Sequence, residues 1–96
     1  MVLTKEEVEA SLHDSDGWKA DDGIWMAKDY NFHSFQRAIS FINEIARLAE
    51  DRQHHPYLII DHTKVNIKLS TLDWNGLTQK DFESAYAYDQ TYQKFS

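Results

Sequence analysis

An apolar stripe in the middle of the chain most constrains what this sequence can fold into. Its members recur at helical spacings of three and four: Phe35, Ala38, Ile39, Ile42, Ile45, Ala46 and Ala49. Arg37, Glu44 and Arg47 lie off the stripe, so the pattern predicts an amphipathic helix of about four turns. Such a helix needs an apolar surface to cover, and it must end before the only proline, Pro56.

Segments with strand periodicity flank this helix and supply that surface. Residues 18–20 and 24–32 surround Asp21-Asp22-Gly23, which is typical of a hairpin turn. In the second of these segments a period of two predicts one mostly buried face of Ile24, Met26, Tyr30 and Phe32. After the helix, Tyr57-Leu58-Ile59-Ile60 predicts a short strand and Val65, Ile67 and Leu69 a half-buried one, joined by a tight turn near His62-Thr63.

Two capping sequences mark further helices. Thr4 and Glu7 form a capping box, with Leu3 and Val8 as its hydrophobic staple, and predict a helix over about residues 5–14. Thr78 and Asp81 form an acidic variant of the same box before a third helix. The buried face of that helix is predicted to comprise Phe82, Ala85, Tyr86 and Tyr92.

The predicted order of elements is therefore α-β-β-α-β-β-α in a single domain, residues 1–96. Two hairpins favour a four-stranded antiparallel sheet, and three amphipathic helices favour a two-layer α+β sandwich with all helices on one face. The other face of the sheet would carry Trp25, Tyr57 and Ile59, which are candidates for a subunit interface.

Charge and composition exclude several classes of function. The chain has 10 basic and 16 acidic residues, a net charge of −6, and its basic residues are dispersed. This disfavours binding to nucleic acid and to anionic membranes. The absence of cysteine excludes disulfides, thiolate metal sites and a cysteine nucleophile. No apolar run approaches the roughly 20 residues of a membrane span, and the N-terminus lacks signal-peptide features, so we expect a cytoplasmic protein.

Candidate chemistry is concentrated in Glu50-Asp51-Arg52-Gln53-His54-His55-Pro56, between the long helix and a strand. Imidazoles give and accept protons near neutral pH, since their reference pKa is about 6.5. Pro56 would fix the chain direction behind His54 and His55. Alternatively, the two histidines simply cap the C-terminus of the helix, where cations are mildly favoured.

Other residues admit weaker interpretations. A metal site of His54, His55 and His62 is disfavoured, because neighbouring side chains in extended chain point to opposite sides and no fourth ligand is evident. Trp74 either lines a pocket for a flat ligand or covers the core. His13 and His33 are expected at the surface or in packing, and Trp18 and Trp25 in the core or an interface.

Three motifs in succession resemble one known family. They are Glu50-x-x-x-His54-His55-Pro56, then Lys64-Val65-x-Ile67-x-Leu69-Ser70-Thr71, then Gly76-Leu77-Thr78-x-x-Asp81. With Leu3-Thr4-x-x-Glu7, Trp18 and the Phe32-x-x-Phe35-x-x-Ala38-x-x-Phe41 run, they make the whole chain similar to the pterin-4a-carbinolamine dehydratase family. His-His-Pro is the most specific element.

The resemblance implies an enzyme that dehydrates 4a-hydroxytetrahydrobiopterin to quinonoid dihydrobiopterin, in the recycling of that pterin. It implies dimers or tetramers built by joining sheets, and no metal or organic cofactor, since the pterin is the substrate. His54 and His55 match the catalytic histidine pair of the family, and sequence does not say which is acid and which is base. Further residues around the pocket are candidates for binding the substrate: Glu50, Pro56, Leu72, Asp73, Trp74 and Asp81.

Two positions depart from the family pattern. Its usual third histidine is Leu72 here, and a usual aromatic position is His62. If Asp61 pairs with Lys64 across a two-residue turn, residue 72 lies beside residues 53–55, and His62 lies about 26 Å away at the far end of the hairpin. Only a neighbouring subunit could bring His62 near.

The loss of the third histidine leaves two interpretations of the whole chain. The first is a dehydratase, weakened by the change at Leu72. The second is a non-catalytic dimerisation, assembly or binding protein on the same fold. Leu72 itself either packs against the pterin or belongs to the core.

Overall fold

The computed structural model describes residues 1–96 and has the predicted order of helices and strands. Its elements are α1 (Lys5–His13), β1 (Lys19–Asp21), β2 (Trp25–Asn31), α2 (Phe35–Arg52), β3 (Tyr57–Asp61), β4 (Lys64–Leu69), a 3₁₀ turn (Leu72–Trp74) and α3 (Gln79–Tyr92). None of the helices combines the length and apolar content that crossing a membrane requires.

The four strands form one antiparallel sheet in the order β1-β2-β4-β3. Asp61 pairs with Lys64 and Tyr57 with Lys68, so the predicted register of the second hairpin is confirmed. The buried side chains of β2 and β4 face the helices and form the sheet side of the core; they are Met26, Tyr30, Val65, Ile67 and Leu69. The α+β sandwich predicted from the sequence is therefore confirmed.

Each helix begins at a side-chain cap. In α1, Thr4 Oγ1 accepts from the Glu7 amide at 3.1 Å and Glu7 Oε1 accepts from the Thr4 amide at 2.8 Å. Thr78 and Asp81 form the corresponding box of α3, so both predicted capping boxes are confirmed. Ser34 caps α2, which ends at Arg52, before Pro56 as predicted.

The buried line of α2 differs from the predicted stripe. Ala38, Phe41, Ile45 and Ala49 are buried, whereas Phe35 is 51% exposed and Ala46 is also exposed. Phe41 lies 5.0 Å from Tyr30 and from Phe32 between ring centroids, so it takes the central packing position. The sheet covers only part of the apolar arc of the helix, so the predicted stripe was too wide, and it also left out Phe41.

A similar correction applies to α3. Tyr86 is 68% exposed, although it was predicted to be buried, and Tyr88 is fully buried in its place. Phe82 and Ala85 are buried as predicted. Residues 86 and 88 are both tyrosine, so the apolar pattern alone does not show which of the two faces the core.

The face of the sheet opposite the helices is uncovered. Tyr57 and Ile59 are 56% and 44% exposed there, and Trp25 is half-buried, as the alternation of the strands predicted. Trp18, by contrast, belongs to the core.

Buried tyrosines make the fold sensitive to high pH. Burial, followed by a hydrogen bond from its hydroxyl to Asp89, raises the pKa of Tyr30. Burial also raises the pKa of Tyr88 to about 12. Asp89 accepts hydrogen bonds from Trp18 Nε1 and Lys28 Nζ as well, and this contact joins α3 to the sheet.

We expect the free energy of unfolding to fall as pH rises above about 10. In the unfolded chain these tyrosines ionise near pH 10, whereas in the folded chain they retain their protons, so stability is complete below pH 10 and is lost above it. Urea unfolding at pH 8, 10 and 11 measures this slope. Tyr88→Phe should flatten the slope and the control Tyr86→Phe should not; equal slopes in all three proteins would contradict the expectation.

Candidate active site

The segment between α2 and β3 presents the two adjacent histidines to different surroundings. Gln53 adopts the left-handed conformation, with φ 51° and ψ 44°, and ends α2. The His54 amide donates to the Ala49 carbonyl at 3.1 Å. His54 is buried, with 8% exposure, whereas the His55 side chain is 57% exposed.

His54 is joined to a fully buried carboxylate. Its Nε2 lies 2.7 Å from Asp81 Oδ1 in the first turn of α3. The other oxygen, Oδ2, accepts from Thr71 Oγ1 at 2.7 Å and from the Thr78 amide at 2.9 Å. Asp81 thus caps α3 and orients His54 at the same time.

This geometry fixes the hydrogen on the His54 ring. A carboxylate only accepts, so Nε2 carries the hydrogen that is shared with Asp81. Nδ1 is then the nitrogen that can exchange a proton with a bound molecule. Asp81 lies in the first turn of α3, where an acidic side chain interacts favourably with the helix dipole.

His55 has a carboxylate partner of its own. Its Nε2 forms a hydrogen bond with Glu50 Oε2 in the last turn of α2. Both side chains of this pair are largely exposed, with 57% and 70% of their surface accessible. The structure therefore contains two histidine–carboxylate pairs side by side, one buried and one open to solvent.

Both histidines line one cavity of about 260 Å³. Its walls come from the end of α2, the chain after β4 and the start of α3, and are Gln53, His54, His55, Ser70, Thr71, Leu72, Asp73 and Lys80. A second cavity of about 330 Å³ shares Thr71 and Lys80 with the first and is lined by Trp74. The two cavities therefore lie next to each other, on either side of Thr71 and Lys80.

The residues predicted for the site are brought together to different extents. Leu72 and Asp73 line the histidine cavity, and Glu50 and Asp81 bind the histidines. Leu72 is 61% exposed and Trp74 57% exposed, so neither belongs to the core nor covers it. Pro56 follows His55 at the start of β3 and lines neither cavity.

The side chains of His54 and His55 contact carboxylates rather than the last carbonyls of α2, so helix capping does not account for them. His62 lies in the β3–β4 turn with φ 55°, roughly 20 Å along the strand from Pro56. The structure contains no group of three or more histidine, aspartate or glutamate side chains that could hold a metal ion.

Sequence reasoning missed the polar residues around Asp81. Thr71 Oγ1 lies 2.7 Å from both Asp81 Oδ2 and Thr78 Oγ1, and all three residues are buried. The signal that could have identified them is the capping box of Thr78 and Asp81, because Asp81 was also predicted to lie around the pocket. Lys80 was missed as well, since one lysine in a polar helix carries no pattern.

A comparison with models of protein families decides the relationship of the chain. The family model described as "Pterin 4 alpha carbinolamine dehydratase" matches residues 1–91. The chain belongs to the pterin-4a-carbinolamine dehydratase family. The histidine pair and its two carboxylates therefore lie within the matched region of this family.

Relatives in the pterin-4a-carbinolamine dehydratase family come from distant organisms. A protein of Picosynechococcus sp. is 40% identical over 89 residues, covering 92% of this chain and 95% of the relative. A protein of Roseiflexus sp. is 41% identical, covering 92% and 94%. Both bear the name "Putative pterin-4-alpha-carbinolamine dehydratase".

Solved structures share the fold. A "transcriptional coactivator/pterin dehydratase" of Brucella melitensis superimposes with a TM-score of 0.92 at 29% identity, covering 96% of this chain and 99% of that one. A pterin dehydratase-like protein described as a RuBisCO assembly factor superimposes with a TM-score of 0.69 at 22% identity, covering 79% and 89%. The second likeness concerns the fold alone.

Proposed function

We propose that the protein dehydrates a 4a-hydroxytetrahydropterin to the quinonoid dihydropterin and water, as an enzyme of pterin recycling in the cytoplasm. One observation carries the proposal: two histidines, each hydrogen-bonded to a carboxylate, line a single cavity in a chain of the pterin-4a-carbinolamine dehydratase family. In each pair the carboxylate binds one nitrogen of the imidazole, and the other nitrogen is available for proton exchange.

The reaction needs two proton transfers. The C4a–O bond breaks as the leaving hydroxyl receives a proton, and a pterin nitrogen loses its proton as the new C=N bond forms. His54 and His55 divide these steps, and the proton taken from the nitrogen balances the one given to water. Asp81 and Glu50 orient the imidazoles through these hydrogen bonds.

The cavity suits a flat bicyclic substrate. Its volume of about 260 Å³ exceeds the roughly 150 Å³ that encloses a benzene ring. The exposed side chain of Leu72 offers an apolar contact for the ring, and the exposed Trp74 lines the adjoining cavity. The pterin is then the substrate, and the proposed mechanism uses only side chains of the protein, without a cofactor.

A dehydration assay tests this proposal. The 4a-hydroxytetrahydropterin is generated enzymatically, and formation of the quinonoid product is followed with and without the protein. We expect acceleration over the spontaneous reaction by wild type and none by the double variant His54→Ala/His55→Ala. Equal rates for wild type and double variant would show that the site does not catalyse this reaction.

A second function, as a binding or assembly protein, is favoured by Leu72. The family usually has a histidine there, and in this chain an apolar side chain that is 61% exposed adjoins the histidine cavity. Leu72 and Trp74 are both exposed in the same 3₁₀ turn, and clustered exposed apolar side chains are typical of a contact surface. Pterin binding without turnover in the assay above would favour this function.

We also propose that the chain forms a homodimer or homotetramer through its sheet. Tyr57 and Ile59 are exposed on the uncovered face, and the strand that carries them is at the edge of the sheet. Light scattering at micromolar concentration should therefore give at least twice the mass of one chain. A single-chain mass at that concentration would contradict the proposal.

A further inference from the structure

The edge strand β3 has the features of a pairing surface. It is the outermost strand next to β4, so one side of its backbone has no neighbour. Tyr57, Ile59 and Ile60 are 56%, 44% and 43% exposed, and residues 57–60 contain no charged side chain. Natural edge strands are usually protected by charges or bulges, so an apolar edge of this kind indicates that another strand covers it.

The hairpin register shows which backbone groups of β3 are free. Asp61 and Lys64 close a two-residue turn, so their backbone groups point at each other. The backbone groups of alternate strand residues point the same way, so those of Tyr57 and Ile59 also point toward β4. The amide and carbonyl groups of Leu58 and Ile60 therefore point away from β4. Pro56, the next outward position, has no N–H to donate.

A second copy of β3 pairs best when the twofold axis passes through Ile59. In that antiparallel register the outward groups of Leu58 meet those of Ile60 of the partner subunit, and both strands overlap along their full length. A register centred on Leu58 would use Pro56 as a donor. One centred on Ile60 would need extended backbone at His62, whose φ is 55°.

The favoured register has a consequence for the site. Tyr57 pairs with the partner subunit's Asp61 at the end of the shared ladder, so Pro56 and the turn residue His62 of the partner subunit lie beside each other just beyond it. Pro56 directly follows His55, whose imidazole is hydrogen-bonded to the exposed carboxylate of Glu50. We infer that His62 of the partner subunit enters the histidine site across the dimer edge and supplies a third imidazole there; this inference rests on the proposed function.

Charge at the two ends of β3 agrees with this arrangement. Glu50 and Asp51, at the end of α2, are 70% and 66% exposed and acidic. The β3–β4 turn carries the basic side chains of His62 and Lys64, together with one acid, Asp61, which faces the partner subunit's Tyr57 in this register. The exposed carboxylate of Glu50 in each subunit therefore approaches the turn of the other subunit that carries His62.

A cysteine cross-link tests the register independently of activity. The chain has no cysteine, so a single Ile59→Cys gives one thiol per subunit. Directly opposed residues on the axis lie within disulfide distance, and we expect a disulfide-linked dimer under mild oxidation. The control Tyr57→Cys is exposed on the same face, but its thiols would lie about 13 Å apart. No dimer with Ile59→Cys, or equal dimer with both variants, overturns the inference.

A complementation experiment tests the role of His62. His55→Ala and His62→Ala should each lower turnover at least about tenfold. When the two variants are unfolded together and refolded, half of the dimers should pair one of each chain, and each of those has one intact site of two, so activity should return to about a quarter of wild type. Wild-type turnover in His62→Ala, or no recovery on mixing, overturns the inference.

The two proposals fail in different ways. If His62→Ala is fully active while His55→Ala is not, the protein is a dehydratase whose site lies within one subunit. If wild type shows no turnover, the proposed function is wrong. The Ile59→Cys cross-link still shows in that case whether the two β3 strands pair in the register that places His62 of the partner subunit beside Pro56.

Discussion

Turnover should fall about a hundredfold when His54 is replaced by glutamine, since a single general acid or base contributes roughly 10²- to 10⁴-fold. His54→Gln is preferred to alanine because Asp81 is fully buried and receives the Nε2 hydrogen of His54 at 2.7 Å. The glutamine amide can still donate to Asp81 but cannot exchange protons with a substrate. The rate of the dehydration assay at saturating pterin measures the change.

Two further variants make this result specific. His33→Ala removes an exposed histidine outside the cavity and should keep wild-type turnover. His54→Ala should lower turnover as much as His54→Gln and should also lower the melting temperature, because it leaves a buried charge without one of its partners. If His54→Gln turns over at the wild-type rate, His54 positions Asp81 and does not transfer a proton.

The fold was predictable because local signals and the apolar pattern agree. Both capping boxes start helices where the sequence places them, and the alternation of Val65, Ile67 and Leu69 gives the buried face of β4. The apolar periodicity did not predict how each helix is rotated about its own axis relative to the sheet. Phe35 is exposed and Phe41 buried because the contact line of α2 depends on the shape of the opposite surface.

The site was predictable in part. The hairpin turn fixed the register of β3 and β4, and that register brings Leu72 beside His54 and His55 in one cavity. The contact between His54 and Asp81 spans 27 residues and depends on how α3 docks, so no local pattern reports it. The sequence also did not predict the exposure of these side chains. Only the structure shows that Leu72 is at the surface and that His55 is open to solvent.

Leu72→His should raise turnover about tenfold, because it returns an imidazole to the wall of the cavity that contains His54 and His55. The substitution should leave the melting temperature almost unchanged. Leu72 is 61% exposed, and surface substitutions usually change the free energy of unfolding by less than about 0.5 kcal/mol. Turnover and thermal unfolding are measured on the same preparations, with Leu72→Asn as a polar control that cannot exchange protons.

The size of this gain depends on whether a third imidazole is already present. If the partner subunit's His62 occupies the site, the gain from Leu72→His is larger in a His62→Ala background than in wild type, because the two imidazoles are alternative sources of the same proton transfer. If His62 takes no part, the two substitutions act independently and the gain is the same in both backgrounds. Leu72→Asn should give no gain in either background. A loss of turnover in Leu72→His with an unchanged melting temperature would mean that the leucine contacts the pterin ring, and that apolar binding at this position outweighs proton transfer.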